Sequence, residues 1–173
     1  MWYSLPNCLS ALRLGLLPGV LWSLQRCLPG WAAVLFGAAA LTDLLDGALA
    51  RRLKSRTSLG ALLDPLADKL LLDCTFLALM ARGGVPAWLA QLVVTRDVLL
   101  AVGLGAAWAL RLRVRISPSP LGKAAVAAQF ITLLCALGRE AWGVPPLLPP
   151  VLVLTTGGLT IASALQYSCE ALR

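Results

Sequence analysis

No histidine occurs anywhere in the 173 residues. That excludes Ser-His-Asp hydrolysis, histidine-bound zinc and any phosphohistidine mechanism. Charge is also scarce: 13% of residues are charged against 59% apolar, far from the balance of a soluble domain. The five cysteines (Cys8, Cys27, Cys74, Cys135, Cys169) form no C-x-x-C pair, so they offer neither a redox motif nor a thiolate metal cluster. In apolar surroundings a free thiol acts as a small hydrophobe, and no role falls to them. No internal repeat is visible. With imidazole and paired thiols gone, only oxygen chemistry remains.

What the chain does have is apolar length. A bilayer requires helical spans of about 20 residues, and six such stretches are present: 10–28, 31–50, 59–81, 88–110, 124–137 extended to its flanks, and 151–172. The expectation is an all-α, six-transmembrane-helix bundle forming one membrane domain over 1–173. Prolines punctuate it at Pro6, Pro18 and Pro29, and the Ser117–Pro120 and Pro145–Pro150 stretches break the chain before spans five and six. Gly83 and Gly84 with Pro86 mark a tight turn between spans three and four. Small residues concentrate in span two (Ala38 to Ala40, Gly47, Ala48, Ala50) and span six (Gly157, Gly158, Ala162, Ala164), where helices can approach closely.

Basic residues divide unevenly. Arg51, Arg52, Lys54 and Arg56 follow span two, and Arg111, Arg113, Arg115 and Lys123 follow span four, whereas the opposite side holds Arg26, Arg82 and Arg139. The positive-inside rule places both termini and both basic loops in the cytoplasm. The net charge of +7 then serves orientation and anionic headgroups, with no nucleic-acid partner implied. The N-terminal stretch lacks a basic n-region, an A-x-A-like cleavage site and an Arg- and Ser-rich leader. A multi-pass protein of a bacterial cytoplasmic membrane is the expectation.

Against this apolar background, residues 41–69 read LTDLLDGALARRLKSRTSLGALLDPLADK. Asp43, Asp46, Gly47 and Ala50 recur at i, i+3, i+4 and i+7, one stripe of a helix. Gly60, Asp64 and Asp68 share a face of the next. An ionisable group at membrane depth costs about 2.5 kcal/mol or more, so four acids at these offsets imply a task. Pressed together they carry −4, which two hard divalent ions, Mg²⁺ or Mn²⁺, would neutralise with all-oxygen ligands. Two such ions about 3.5–4 Å apart would clamp a diphosphate. Gly47 and Ala50 leave room for a close approach, and Arg51 at the rim can pair with phosphate oxygens.

Other intramembrane charges read differently. Asp73 lies four residues after Lys69, a spacing that predicts a structural ion pair. Arg96 and Asp97 are adjacent midway along span four and are expected not to face each other. Arg96 is a candidate either for a substrate anion or for a pair with another helix.

The spacing D-x2-D-G-x2-A-R-x8-G-x3-D-x3-D resembles the motif of the CDP-alcohol phosphatidyltransferases at all eight fixed positions. The likeness extends from LPNCLSALRLG near the N-terminus to LGK before span five. It implies a six-helix membrane fold, a homodimer, a di-magnesium site open to the cytoplasm, and displacement of CMP from a CDP-linked lipid by an alcohol. By that resemblance Asp43, Asp46, Asp64 and Asp68 bind the metals, and Asp68 is also the base for the acceptor hydroxyl. Gly47, Arg51, Thr57 and Gly60 contact the CDP-lipid, with Asn7 a further contact.

The acceptor follows from departures within the family. Phosphatidylglycerophosphate synthases carry a second span-four arginine and G-K-x-K-T before span five; here those places hold Leu104 and Gly122-Lys123-Ala124-Ala125-Val126. TRDV around Arg96 is more similar to the CMP-forming cardiolipin synthases, while phospholipase-D-type enzymes need paired histidines. Arg96 and Lys123 remain as anion contacts, which suits phosphatidylglycerol better than dianionic glycerol 3-phosphate. A membrane prenyltransferase would show N-D-x-x-D clusters without G-x2-A-R. A cation or proton transporter would show inverted repeats and broken helices.

Overall fold

The computed structural model describes residues 5–53, 58–110, 119–143 and 148–171. Among them six α-helices and no strands occur: α1 Leu5–Gln25, α2 Pro29–Leu53, α3 Ser58–Ala81, α4 Ala87–Ala109, α5 Pro120–Ala141 and α6 Pro150–Ala171. The six apolar stretches thus correspond one to one with helices: α2 and α5 extend past both expected ends, α3, α4 and α6 agree to within a residue, and α1 begins five residues earlier and ends three earlier than expected. Pro18 lies inside α1 without ending it. Among the described residues, Pro120–Ala141 and Pro150–Ser168 are long and apolar enough to cross a membrane by composition alone, and α2 has a shorter apolar run, Pro29–Thr42, ahead of its aspartates.

Local signals explain the boundaries. Ser119 accepts a hydrogen bond from the Gly122 amide at 2.9 Å as the cap of α5, with Pro120 opening the first turn. At the end of α3, Gly84 N–H bonds to Leu79 C=O at 2.8 Å and Gly83 N–H to Met80 C=O at 3.0 Å. This Schellman pattern needs a left-handed residue, and Gly83 supplies it at φ 74°. The same pattern closes α1, with Leu28 bonded to Ser23 at 2.8 Å and Cys27 to Leu24 at 3.1 Å. There the left-handed position, φ 56°, is held by Cys27.

α1 packs against α2 and α3, α2 and α6 each pack on α5, and α4 lies between α3 and α6. Arg82, just past α3, ties three helix ends together. It donates to Glu140 of α5 at 2.6 Å and to the Leu24 carbonyl of α1 at 2.9 Å, so the ends of α1, α3 and α5 converge. The hydrogen bond with Glu140 pushes the Arg82 guanidinium above its ordinary range and keeps it charged. At this turn end Trp22, Trp31, Trp88 and Trp142 stand 55%, 63%, 47% and 83% exposed, a ring of half-wet indoles.

The apolar core fills the turn-end half. Val20 and Leu24 meet Phe36, Leu72, Phe76, Leu79, Leu89 and Leu133, all essentially inaccessible. Phe36 and Phe130 pack at 5.5 Å between ring centres. The expected small-residue face of α6 is realised at Gly157, where a methyl would meet the Trp88 ring at 2.8 Å, whereas Gly158 faces open space. Between α5 and α6 runs a buried polar seam: Gln129 donates to Thr160 at 3.1 Å, and Thr132 and Thr156 share a bond of 2.8 Å. Polar side chains of this kind join helices where water is absent.

Candidate functional site

The acidic residues lie beyond that core, toward the other end of the bundle. Asp43, Asp46, Gly47 and Arg51 belong to α2, Gly60, Asp64 and Asp68 to α3, and Asn7 to α1. Helix runs unbroken through both aspartate pairs, so each pair shares a helix face as its spacing requires. Thr57 lies outside the described residues, and for these positions other than Asp68 only the place on the helix is described. The donor set is all carboxylate oxygen, the chemistry that a hard divalent ion takes.

Asp68 meets a residue that the spacing argument missed. Arg13 of α1, 2% exposed, forms an ion pair with the Asp68 carboxylate. α1 packs on both aspartate-bearing helices, so it forms a wall of the site and carries a cation into it. A signal was available: Arg13 is a charge within span one, and charges at membrane depth rarely lack a partner.

The neighbouring charges depart from expectation. Lys69 donates to Asp97 of α4 at 2.7 Å rather than pairing with Asp73 one turn along its own helix. Asp97 is 3% exposed, and so buried a carboxylate requires cations to compensate it. Asp73 keeps a buried Oδ1 without a hydrogen-bond partner among the described residues. Arg96 and Asp97 also pair, Nη1 to Oδ1, although adjacent residues point about 100° apart on a helix. The arginine side chain is long enough to curl around the helix, which a rule about Cβ directions does not anticipate.

Arg96 is 5% exposed and lies under the ring of Tyr167, 5.6 Å from guanidinium carbon to ring centre. Tyr167 of α6 reaches across to the start of α5, where a methyl on Gly122 would stand 2.7 Å from its hydroxyl oxygen. Lys123, the next residue, is exposed. One run of contacts therefore leads from Lys69, beside Asp68, through Asp97 and Arg96 to Tyr167 and the neighbour of Lys123. Nothing in the sequence pointed to Tyr167.

Comparison with known proteins matches the amino-acid sequence to one family. Residues 3–164 match the model of the CDP-alcohol phosphatidyltransferase family. The chain is similar to the CMP-forming cardiolipin synthase of Streptomyces coelicolor, 38% identical over 59% of this chain and 50% of that protein. It is 36% identical to the CMP-forming cardiolipin synthase of Homo sapiens over 70% of this chain and 40% of that protein. To the probable CMP-forming cardiolipin synthase of Drosophila melanogaster it is 35% identical over 77% and 47%. The chain spans about half the length of the curated relatives it matches. The prenyltransferase and transporter readings do not account for a match of this extent. The chain belongs to the CDP-alcohol phosphatidyltransferase family.

Proposed function

We propose that the protein transfers the phosphatidyl group of CDP-diacylglycerol to phosphatidylglycerol, forming cardiolipin and CMP. Asp68 takes the proton from the acceptor's free hydroxyl. The alcohol oxygen attacks the lipid-side phosphorus in line, the bond from that phosphorus to the bridging oxygen breaks, and CMP leaves. Asp43, Asp46, Asp64 and Asp68 would hold two Mg²⁺ or Mn²⁺ ions, which would supply positive charge to the diphosphate and its leaving oxygen. Asn7, Gly47, Arg51, Thr57 and Gly60 seat the CDP-lipid, and Arg96 and Lys123 take the acceptor's phosphodiester.

The observation that carries the acceptor half is the run of contacts from Lys69 through Asp97 and Arg96 to Tyr167, which ends beside Lys123. It links the neighbour of the base to both anion contacts. The names of the relatives support the same acceptor.

The reading includes a single domain over 1–173 with all six helices crossing a bacterial cytoplasmic membrane as a homodimer, both termini inside. The four exposed tryptophans at the turn end support a membrane interface there, since indoles collect at such interfaces, and the basic residues 51–56 and 111–123 support the orientation.

The test supplies purified protein with CDP-diacylglycerol and either phosphatidylglycerol or glycerol 3-phosphate. CMP release is expected with phosphatidylglycerol, lost in EDTA and restored by Mg²⁺ or Mn²⁺. A clear preference for glycerol 3-phosphate would overturn the acceptor and make the protein a phosphatidylglycerophosphate synthase. Undiminished release in chelator would overturn the metal site.

A further inference from the structure

Tyr167 touches two elements at once, and each contact constrains it. Its ring covers one face of the Arg96 guanidinium at 5.6 Å. Its hydroxyl oxygen stands 2.7 Å, the Ser119 hydroxyl oxygen 3.1 Å, and its ring edge 3.4 Å, from where a side chain on Gly122 would begin. Real methyl groups do not approach an oxygen to 2.7 Å, so a side chain at 122 would have to displace the hydroxyl end of Tyr167 from this position. The guanidinium is equally confined. Asp97 holds Nη1, Tyr167 lies over the face, and Nε is buried with no hydrogen-bond partner among the described residues. A buried donor left open on a tethered guanidinium is a place for an anionic oxygen.

We propose that Tyr167 is a positioning residue for the acceptor headgroup: its ring fixes Arg96 against the acceptor's phosphate, and Gly122 is glycine to admit its hydroxyl end. This rests on the acceptor role of Arg96 proposed above and extends it to α6, whose Tyr167 reaches both Arg96 and the start of α5. The attraction between guanidinium and ring strengthens out of water, as at this buried position. The ligand it serves is a lipid or glycerol derivative bearing a phosphate anion.

A double-mutant cycle on the full chain tests it, with separate KM values for acceptor and CDP-diacylglycerol. Tyr167→Leu removes the ring, and the KM for phosphatidylglycerol should rise about tenfold while that for CDP-diacylglycerol stays unchanged. Tyr167→Phe keeps the ring and should stay close to the parent protein. Gly122→Ala pushes the tyrosine aside and should raise the acceptor KM as Tyr167→Leu does. The decisive variant combines Gly122→Ala with Tyr167→Phe: removing the colliding oxygen should restore most of the acceptor affinity. The positioning role is overturned if Tyr167→Leu leaves the acceptor KM unchanged, if both KM values rise together, or if the double variant is no better than Gly122→Ala. Should glycerol 3-phosphate prove the better acceptor, the same selective rise in its KM upholds Tyr167 while the phosphatidylglycerol reading falls.

Discussion

At the residue scale, Asp68 and Arg13 carry the densest consequence. Asp68 closes the aspartate series, and its side chain is 24% exposed, open enough to meet a substrate hydroxyl while held by a buried guanidinium. Asp68→Asn preserves volume but removes the proton acceptor and one negative charge. Turnover is expected to fall about 100-fold or more with the protein still folded, read as CMP release alongside thermal unfolding. A folded, fully active variant would remove Asp68 from the mechanism. The position of Asp68 was legible from its spacing to Asp64. Its partner was not, because Arg13 lies 55 residues away and only the packing of α1 on α3 brings the two together.

At the element scale, the helices follow from apolar length, and their ends follow from short-range chemistry. Ser119 with Pro120 starts α5, and Gly83 closes α3 in a left-handed conformation. The end of α1 is the exception, since Cys27 adopts φ 56° where glycine is the usual residue. A Cβ in that conformation costs about 1–2 kcal/mol, partly offset by the greater chain entropy glycine would lose. Cys27→Gly is therefore expected to stabilise the protein by about 0.5–1 kcal/mol, measured by unfolding in detergent. Destabilisation instead would mean that the 3.7 Å contact between Arg82 and the Cys27 sulfur matters more than the backbone conformation.

At the scale of the whole molecule, the two ends of the bundle differ in kind. One end carries the apolar core, the exposed tryptophans and the Arg82 clamp; toward the other lie the aspartates, Arg13 and the Arg96–Tyr167 contact. Single cysteines in a cysteine-free background test how this polarity sits in the membrane. Lys54→Cys should react with impermeant reagent only from the cytoplasmic side, and Ala87→Cys only from outside. The reverse pattern would put the site on the wrong face for a cytoplasmic nucleotide.

Sequence alone determined the six apolar elements, the registry of Asp43 with Asp46 and of Asp64 with Asp68, and the family likeness. The first two depend on bilayer thickness and the helical repeat and the third on motif residues at fixed spacing, all of which are local and readable along the chain. Tertiary structure decided the partners: Arg13 for Asp68, Asp97 for Lys69, and Tyr167 for Arg96 with Gly122 making room. Partner choice depends on how far each helix is rotated and how deep it sits against its neighbours, and packing across the bundle sets both. Spacing within one helix offered Lys69 a partner in Asp73. The buried Asp97 on the adjacent helix took it instead, so that Lys69 and Arg96 both meet the same carboxylate oxygen.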